Sequence, residues 1–148
     1  GEDGLNIKYS KECILSNIKI NDSKYDAIDI DNCHTLGENI FLKNTSNKDE
    51  NGDGIDFYHS VANLKKIEVC GFKDKGISVG EKSYVKILES KICTNNIGVA
   101  IKDDSCFLLK EKLYSSRCGP TDVLCVISSF CLAFLSSKTV LRVITSLL

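Results

Sequence analysis

A chain of 148 residues with 43% apolar content is one domain's worth of sequence, long enough to bury a modest core. Its 19 basic residues are balanced by 20 acidic ones, a net charge of −1, which excludes a global field drawing it to nucleic acid or anionic lipid. There is no Met, the chain begins at Gly1 and no secretory signal opens it, so it reads as a fragment or processed product of a longer protein.

Taken in order, G-L-N-I at Gly4, A-I-D-I at Ala27, G-I-D-F at Gly54, G-I-S-V at Gly76 and G-V-A-I at Gly98 form one returning unit. The intervals are 23, 27, 22 and 22 residues, and a period this short predicts a solenoid. Within each unit the apolar residues alternate: Leu5/Ile7, Ile28/Ile30, Ile55/Phe57, Ile77/Val79 and Val99/Ile101. A period of two is a strand. Further alternations follow at Ile18/Ile20, Ile40/Leu42, Ile67/Val69 and Val85/Ile87, with single anchors at Phe72, Ile92 and Ile97. About 22 residues leave no room for two helices plus turns, and the Ile- and Val-rich composition suits a pleated surface. The spaced leucines and Asn of a leucine-rich repeat are absent. The fold class expected is therefore all-β, a coil of stacked strands over residues 1–109, with about five coils. The opening glycines are expected to serve a bend into the strand, where a residue without Cβ is favoured.

The second coil is lengthened by the polar segment from Asn44 to Asp53. It runs into Asp49-Glu50-Asn51-Gly52-Asp53-Gly54, which matches the first half of a calcium loop and places oxygen ligands on one side of a tight turn. Position twelve of that loop is Ser60 where an EF-hand needs Glu, and no helical pattern flanks it. The match is therefore a partial calcium loop or a solvated Asn/Gly turn. Residues 110–148 leave the repeat. From Val123 they are rich in Val, Leu, Ser and Cys, and Lys138 and Arg142 are their only charges. The longest charge-free run, Val123 to Ser137, is shorter than the roughly 20 residues of a membrane span. The segment fits a buried or capping helix, further strand, or a sequence foreign to the repeat.

The eight cysteines show no C-x-x-C and no paired Cys/His pattern, which argues against a structural zinc site. Cys70 and Cys93 are 23 residues apart, so they would stack in neighbouring coils. The preferred reading is two small buried side chains; a disulfide is the alternative that the spacing permits.

The G-[IVL]-x-[IVF] register, the run D-K-G-I-S-V-G-E-K-S from Asp74 and the run N-N-I-G-V-A-I-K-D from Asn95 resemble right-handed parallel β-helix repeats of the pectin-lyase-like superfamily. The resemblance covers Gly4 to about Leu109. It implies a right-handed parallel β-helix and leaves activity open, because that superfamily includes polysaccharide lyases, glycosidases, epimerases, adhesins and tailspikes. The polygalacturonase N-T-D, D-D and G-H-G motifs and the epimerase D-P-H-E run are absent. Arg, the usual lyase base, occurs only as Arg117 and Arg142, outside the repeat.

If the residues one and three after each glycine point inward, the outward columns are Asn6, Asp29, Asp56, Ser78, Ala100 and Lys8, Asp31, Tyr58, Gly80, Lys102. Tyr9, Asn32, His59, Glu81 and Asp103 follow in the turn. Asp29 stacked on Asp56, roughly 4.8 Å away, repels it unless something neutralises the pair. A Ca²⁺ held among Asp29, Asp31, Asp49, Asn51, Asp53 and Asp56 would make a site for acidic polysaccharide. A shared proton would supply a general acid beside a base; Lys8 alone would make the ladder structural. Tyr58 and His59, beside Asp29 and Asp56, have the chemistry to abstract the proton α to a uronate carboxylate, with a cation stabilising the enolate. The expected function is a carbohydrate-interacting module of an extracellular or cell-surface protein, assisted by Ca²⁺. The alternatives are a non-catalytic structural or adhesive solenoid, and a uronan lyase or C5-epimerase fragment.

Overall fold

The computed structural model describes residues 3–45, 52–93, 95–110, 124–127 and 142–145. Among the described residues there are strands and no helix. They are β1 (Leu5–Lys8), β2 (Cys13–Asn21), β3 (Ile28–Asp31), β4 (His34–Lys43), β5 (Ile55–Tyr58), β6 (Val61–Cys70), β7 (Lys75–Gly80), β8 (Tyr84–Cys93), β9 (Ile97–Ile101) and β10 (Cys106–Lys110), then β11 (Leu124–Ile127) and β12 (Arg142–Thr145). The order β1-β3-β5-β7-β9-β11-β12 forms one sheet and β2-β4-β6-β8-β10 the other, with every pairing parallel. Each coil thus contributes one short strand to the first sheet and one long strand to the second. Five repeat starts bound about four turns of a β-solenoid. The stretches 124–127 and 142–145 add two strands to the first sheet; the rest of 111–148 lies outside the described residues.

The repeat register in the sequence is the strand register in space. Ile28 pairs with Ile55 and Ile55 with Ile77; Ile30 pairs with Phe57 and Phe57 with Val79. All of these side chains are buried, so like sits on like in one continuous apolar column. The long strands β2, β4, β6 and β8 each break their ladder at one residue: Asn17, Asn39, Lys66 and Glu89, with φ of 56°, 58°, 53° and 55°. A left-handed residue inside a strand turns its direction, so each long strand supplies two faces and the coil has three sides. Asn suits that conformation better than Lys or Glu does. At the first two corners Asn39 Nδ2 also donates to Asn17 Oδ1 at 3.1 Å.

Two expectations change in detail. At Gly54 and Gly76 the constraint the structure shows is close approach between coils. A Cβ on Gly54 would lie 2.4 Å from the carbonyl oxygen of Gly76 and 2.2 Å from Val69 Cγ1, and one on Gly76 would lie 2.7 Å from the Gly98 oxygen. Neither glycine has a positive φ, so the limit is the room between coils. Second, Cys70 and Cys93 are bonded as a disulfide, Cα to Cα 4.7 Å, where the preferred reading had them stacked and reduced. They face each other directly in the β6–β8 register, and the ordinary spacing of stacked strands already lies within the Cα range of a disulfide.

A ladder of small polar side chains lines the turn after each short strand. The backbone N–H of Ser10 donates to Cys33 Sγ, that of Cys33 to Ser60 Oγ, that of Ser60 to Ser83 Oγ, and that of Ser83 to Ser105 Oγ, at 3.0–3.3 Å. These amides lie between strands and find no ladder partner, so each side chain satisfies the coil before it. Ser60 is 1% exposed, and its hydroxyl also reaches the carbonyls of Ile30 and Tyr58. Ser60→Ala is expected to leave a buried amide unpaired and to cost about 1–3 kcal/mol, read as a lower denaturant midpoint at unchanged slope. An unchanged midpoint would show that the ladder contributes nothing to stability.

Candidate functional site

Asp29 and Asp31 alternate with Ile28 and Ile30 along β3, and Asp56 and Tyr58 alternate with Ile55 and Phe57 along β5. Burying the isoleucines and Phe57 turns the polar residues outward. The register sets Asn6 beside Asp29, Asp29 beside Asp56 and Asp56 beside Ser78, as well as Lys8 beside Asp31 and Asp31 beside Tyr58. Both outward columns are therefore present over the first three coils. Beyond them the face closes, since Ser78 is fully buried and Ala100 nearly so. The open part of the face is the part that carries Asp29, Asp31, Asp56, Tyr58 and His59.

The charge problem is met in part. Lys8 Nζ lies 3.2 Å from Asp29 Oδ2 and also pairs with Asp31 Oδ2, while Asn6 Nδ2 donates to Asp29 Oδ2 at 2.8 Å. Hydrogen bonds to Asp31 and Asp29 hold the Lys8 ammonium well above its usual range. Burial nevertheless leaves Asp29 raised, with Lys8 opposing the shift. Among the described residues no lysine pairs with Asp56. The lysine remedy thus serves the first two coils and stops short of the third.

Tyr58 and His59 lie side by side at the rim, ring centroids 4.7 Å apart and tilted by 53°. His59 occupies the turn with φ of 46°, the same left-handed place taken by Tyr9 and Asn32 in the coils before. Both rings are solvent-accessible.

The predicted metal ligands divide. Asp49 and Asn51 lie outside the described residues. Asp53 is buried under the third coil: its Oδ1 accepts from the backbone N–H of Lys75 at 2.9 Å and from Lys75 Nζ at 3.2 Å. Among the described residues, Asp29, Asp31, Asp53 and Asp56 do not bring three carboxylate oxygens within 4.8 Å of one another. A calcium ion takes about six to eight oxygens. This face fits one only if water or a ligand's own oxygens complete the shell.

Sequence reasoning missed Asp26, whose Oδ1 accepts from the backbone N–H of Asp53 at 2.7 Å. Burial, with Asp53, Asp56 and Asp3 nearby, pushes Asp26 up to about 7; burial pushes Asp53 up to about 6 against the pull of Lys75. The signal was available, since Asp26 and Asp53 each stand one residue before the opening residue of a coil. Both carboxyls bind protons more tightly folded than unfolded, so their contribution to stability is fully present below about pH 4 and is lost as pH rises through about 6 and 7. The thermal midpoint is expected to be higher at pH 5 than at pH 8. A midpoint that instead rises from pH 5 to pH 8 would show these groups unperturbed.

No protein-family model, no curated protein and no solved structure matches this chain. Among the described residues no helix is long and apolar enough to cross a membrane.

Proposed function

We propose that this chain is a carbohydrate-interacting β-solenoid whose contact surface is the open face of β1, β3 and β5, with no catalytic step of its own. One observation carries the reading. Hydrogen-bonding side chains recur once per coil along the solenoid axis, with Asn6, Asp29 and Asp56 in one column and Lys8, Asp31 and Tyr58 in the next. That column advances by roughly 4.8 Å per coil, commensurate with one sugar ring of an extended polysaccharide laid along it. Carboxylates accept from sugar hydroxyls, and the Tyr58–His59 pair, with Tyr9 at 79% exposure, offers ring faces for stacking at the rim. An acidic polysaccharide would meet like charge here and would engage through a bridging Ca²⁺ shared between Asp56 and its own carboxylates. The repeat register supports kinship with the pectin-lyase-like parallel β-helices. The cross-coil disulfide supports an extracellular or cell-surface setting.

A structural or adhesive solenoid is the second reading, favoured by the Lys8 bridge between Asp29 and Asp31. Depletion of the protein from solution by insoluble polysaccharides, neutral and uronate-rich, separates the two. Binding that falls at least tenfold in both Tyr58→Ala and Asp56→Ala supports the contact face. Binding equal to wild type in both variants would remove this face as the contact surface, and no depletion of the wild-type protein would leave the scaffold reading.

A further inference from the structure

The disulfide between Cys70 and Cys93 sits within a set of ligand atoms that the linear sequence does not reveal. Glu68, Cys70 and Cys93 each offer one such atom, and all three lie within 4.8 Å of one another, the one such group of His, Cys, Asp or Glu among the described residues. Glu68 and Cys70 are two apart on β6 and share its outward face, while Cys93 enters from β8 in direct register with Cys70. Spacing of C-x-x-C type is unnecessary when a parallel coil returns the chain to the same place 23 residues later.

We propose that the pair is a redox-controlled metal site: oxidised it is the disulfide, and reduced it binds a thiophilic divalent cation of the Zn²⁺ type through Cys70, Cys93 and Glu68. A dithiol donates two electrons and two protons, opening the S–S bond to two thiols and itself closing to a cyclic disulfide. The metal then displaces the two thiol protons and forms two metal–sulfur bonds.

The geometry suits this ion. With Zn–S bonds of about 2.3 Å, two sulfurs on one tetrahedral ion stand about 3.8 Å apart. Glu68 Oε1 is already 3.8 Å from Cys70 Sγ, and Cα atoms 4.7 Å apart allow the sulfurs to reach the same separation by side-chain rotation. Water would fill the fourth position, as in zinc sites that keep one place open. Two thiolates and a carboxylate carry one negative charge more than a divalent ion neutralises. Lys91 Nζ, 2.8 Å from Glu68 Oε1, takes up the surplus and fixes the carboxylate. Glu68 itself lines a shallow depression of about 280 Å³ with Lys19, Phe41 and Lys43, so the carboxylate is reached from solvent.

The test is a Co²⁺ titration of the full chain reduced by a trialkylphosphine, read by thiolate-to-cobalt charge-transfer absorption. The expected result is one equivalent bound and displaced by Zn²⁺, no band in the oxidised protein, loss of the band in Cys70→Ser and in Cys93→Ser, and affinity lowered about tenfold or more in Glu68→Gln. Glu68 is half-exposed, so that variant keeps its fold and tests the third ligand without touching the sulfurs. No charge-transfer band in the reduced wild type, or an equal band in both serine variants, would overturn the site. Unchanged affinity in Glu68→Gln would overturn the role of Glu68.

Discussion

Phe57→Ala is expected to cost about 3–5 kcal/mol. Phe57 is fully buried and lies between Ile30 and Val79 in the stacked column, so the ring fills the joint of the second, third and fourth coils. Removing it leaves a cavity that the backbone ladders on either side prevent from collapsing. Against a total stability of about 5–15 kcal/mol that is a large fraction, and it raises the unfolded-to-folded ratio about a hundredfold or more. A solenoid adds a further signature. Stability in a repeat array is a sum of coil and interface terms, so weakening the middle interface should also broaden the transition as the two ends uncouple. Equilibrium denaturation followed by far-ultraviolet circular dichroism reads both effects. A midpoint within experimental error of wild type would mean that the column is not packed as described.

Reduction of the Cys70–Cys93 disulfide is expected to cost about 3 kcal/mol in the absence of metal, from the chain entropy released by a closed loop of 23-residue separation. The bond joins the third coil to the fourth, next to the Gly71 turn, where φ is +87° and a Cβ would come within 2.0 Å of the Asn44 oxygen. That turn holds its place through the Gly71 N–H donating to the Cys93 oxygen at 3.1 Å. Loss of the crosslink is therefore felt at both ends of the loop. Comparing denaturant midpoints of the oxidised and reduced protein, with Cys70→Ser as a check, measures it. Equal midpoints would show the crosslink to be energetically idle. If the reduced pair takes up Zn²⁺, part of the lost stability should return with metal.

Much of the fold was legible in the sequence because a parallel solenoid turns sequence period into spatial register. Once Ala27 and Gly54 are aligned as repeat starts, Asp29 beside Asp56 and Ile30 beside Phe57 follow, and the structure places them so. The corners were harder. Asn17 and Asn39 are residues that favour a left-handed conformation, but Lys66 and Glu89 hold the same place without announcing it. The Ser10–Cys33–Ser60–Ser83–Ser105 ladder escaped notice because the last two coils carry one extra residue, Lys82 and Asp104, before the serine. The disulfide was a matter of distance between aligned positions, which spacing permits but cannot decide. The candidate face was legible as a column and not as a charge balance: the reach of Lys8 to both Asp29 and Asp31, and the burial that raises Asp26, depend on side-chain placement.

The most direct measurement of the central claim is a backbone amide chemical-shift map of the isotopically labelled protein on titration with an extended oligosaccharide selected by the depletion assay, with calcium and then with chelator. The account predicts that the largest changes fall on β1, β3 and β5 and the turn at His59, centred on Asp29, Asp56 and Tyr58, and that a uronate oligomer loses them in chelator. Changes centred on the long-strand sheet, or a uronate response indifferent to calcium, would contradict it.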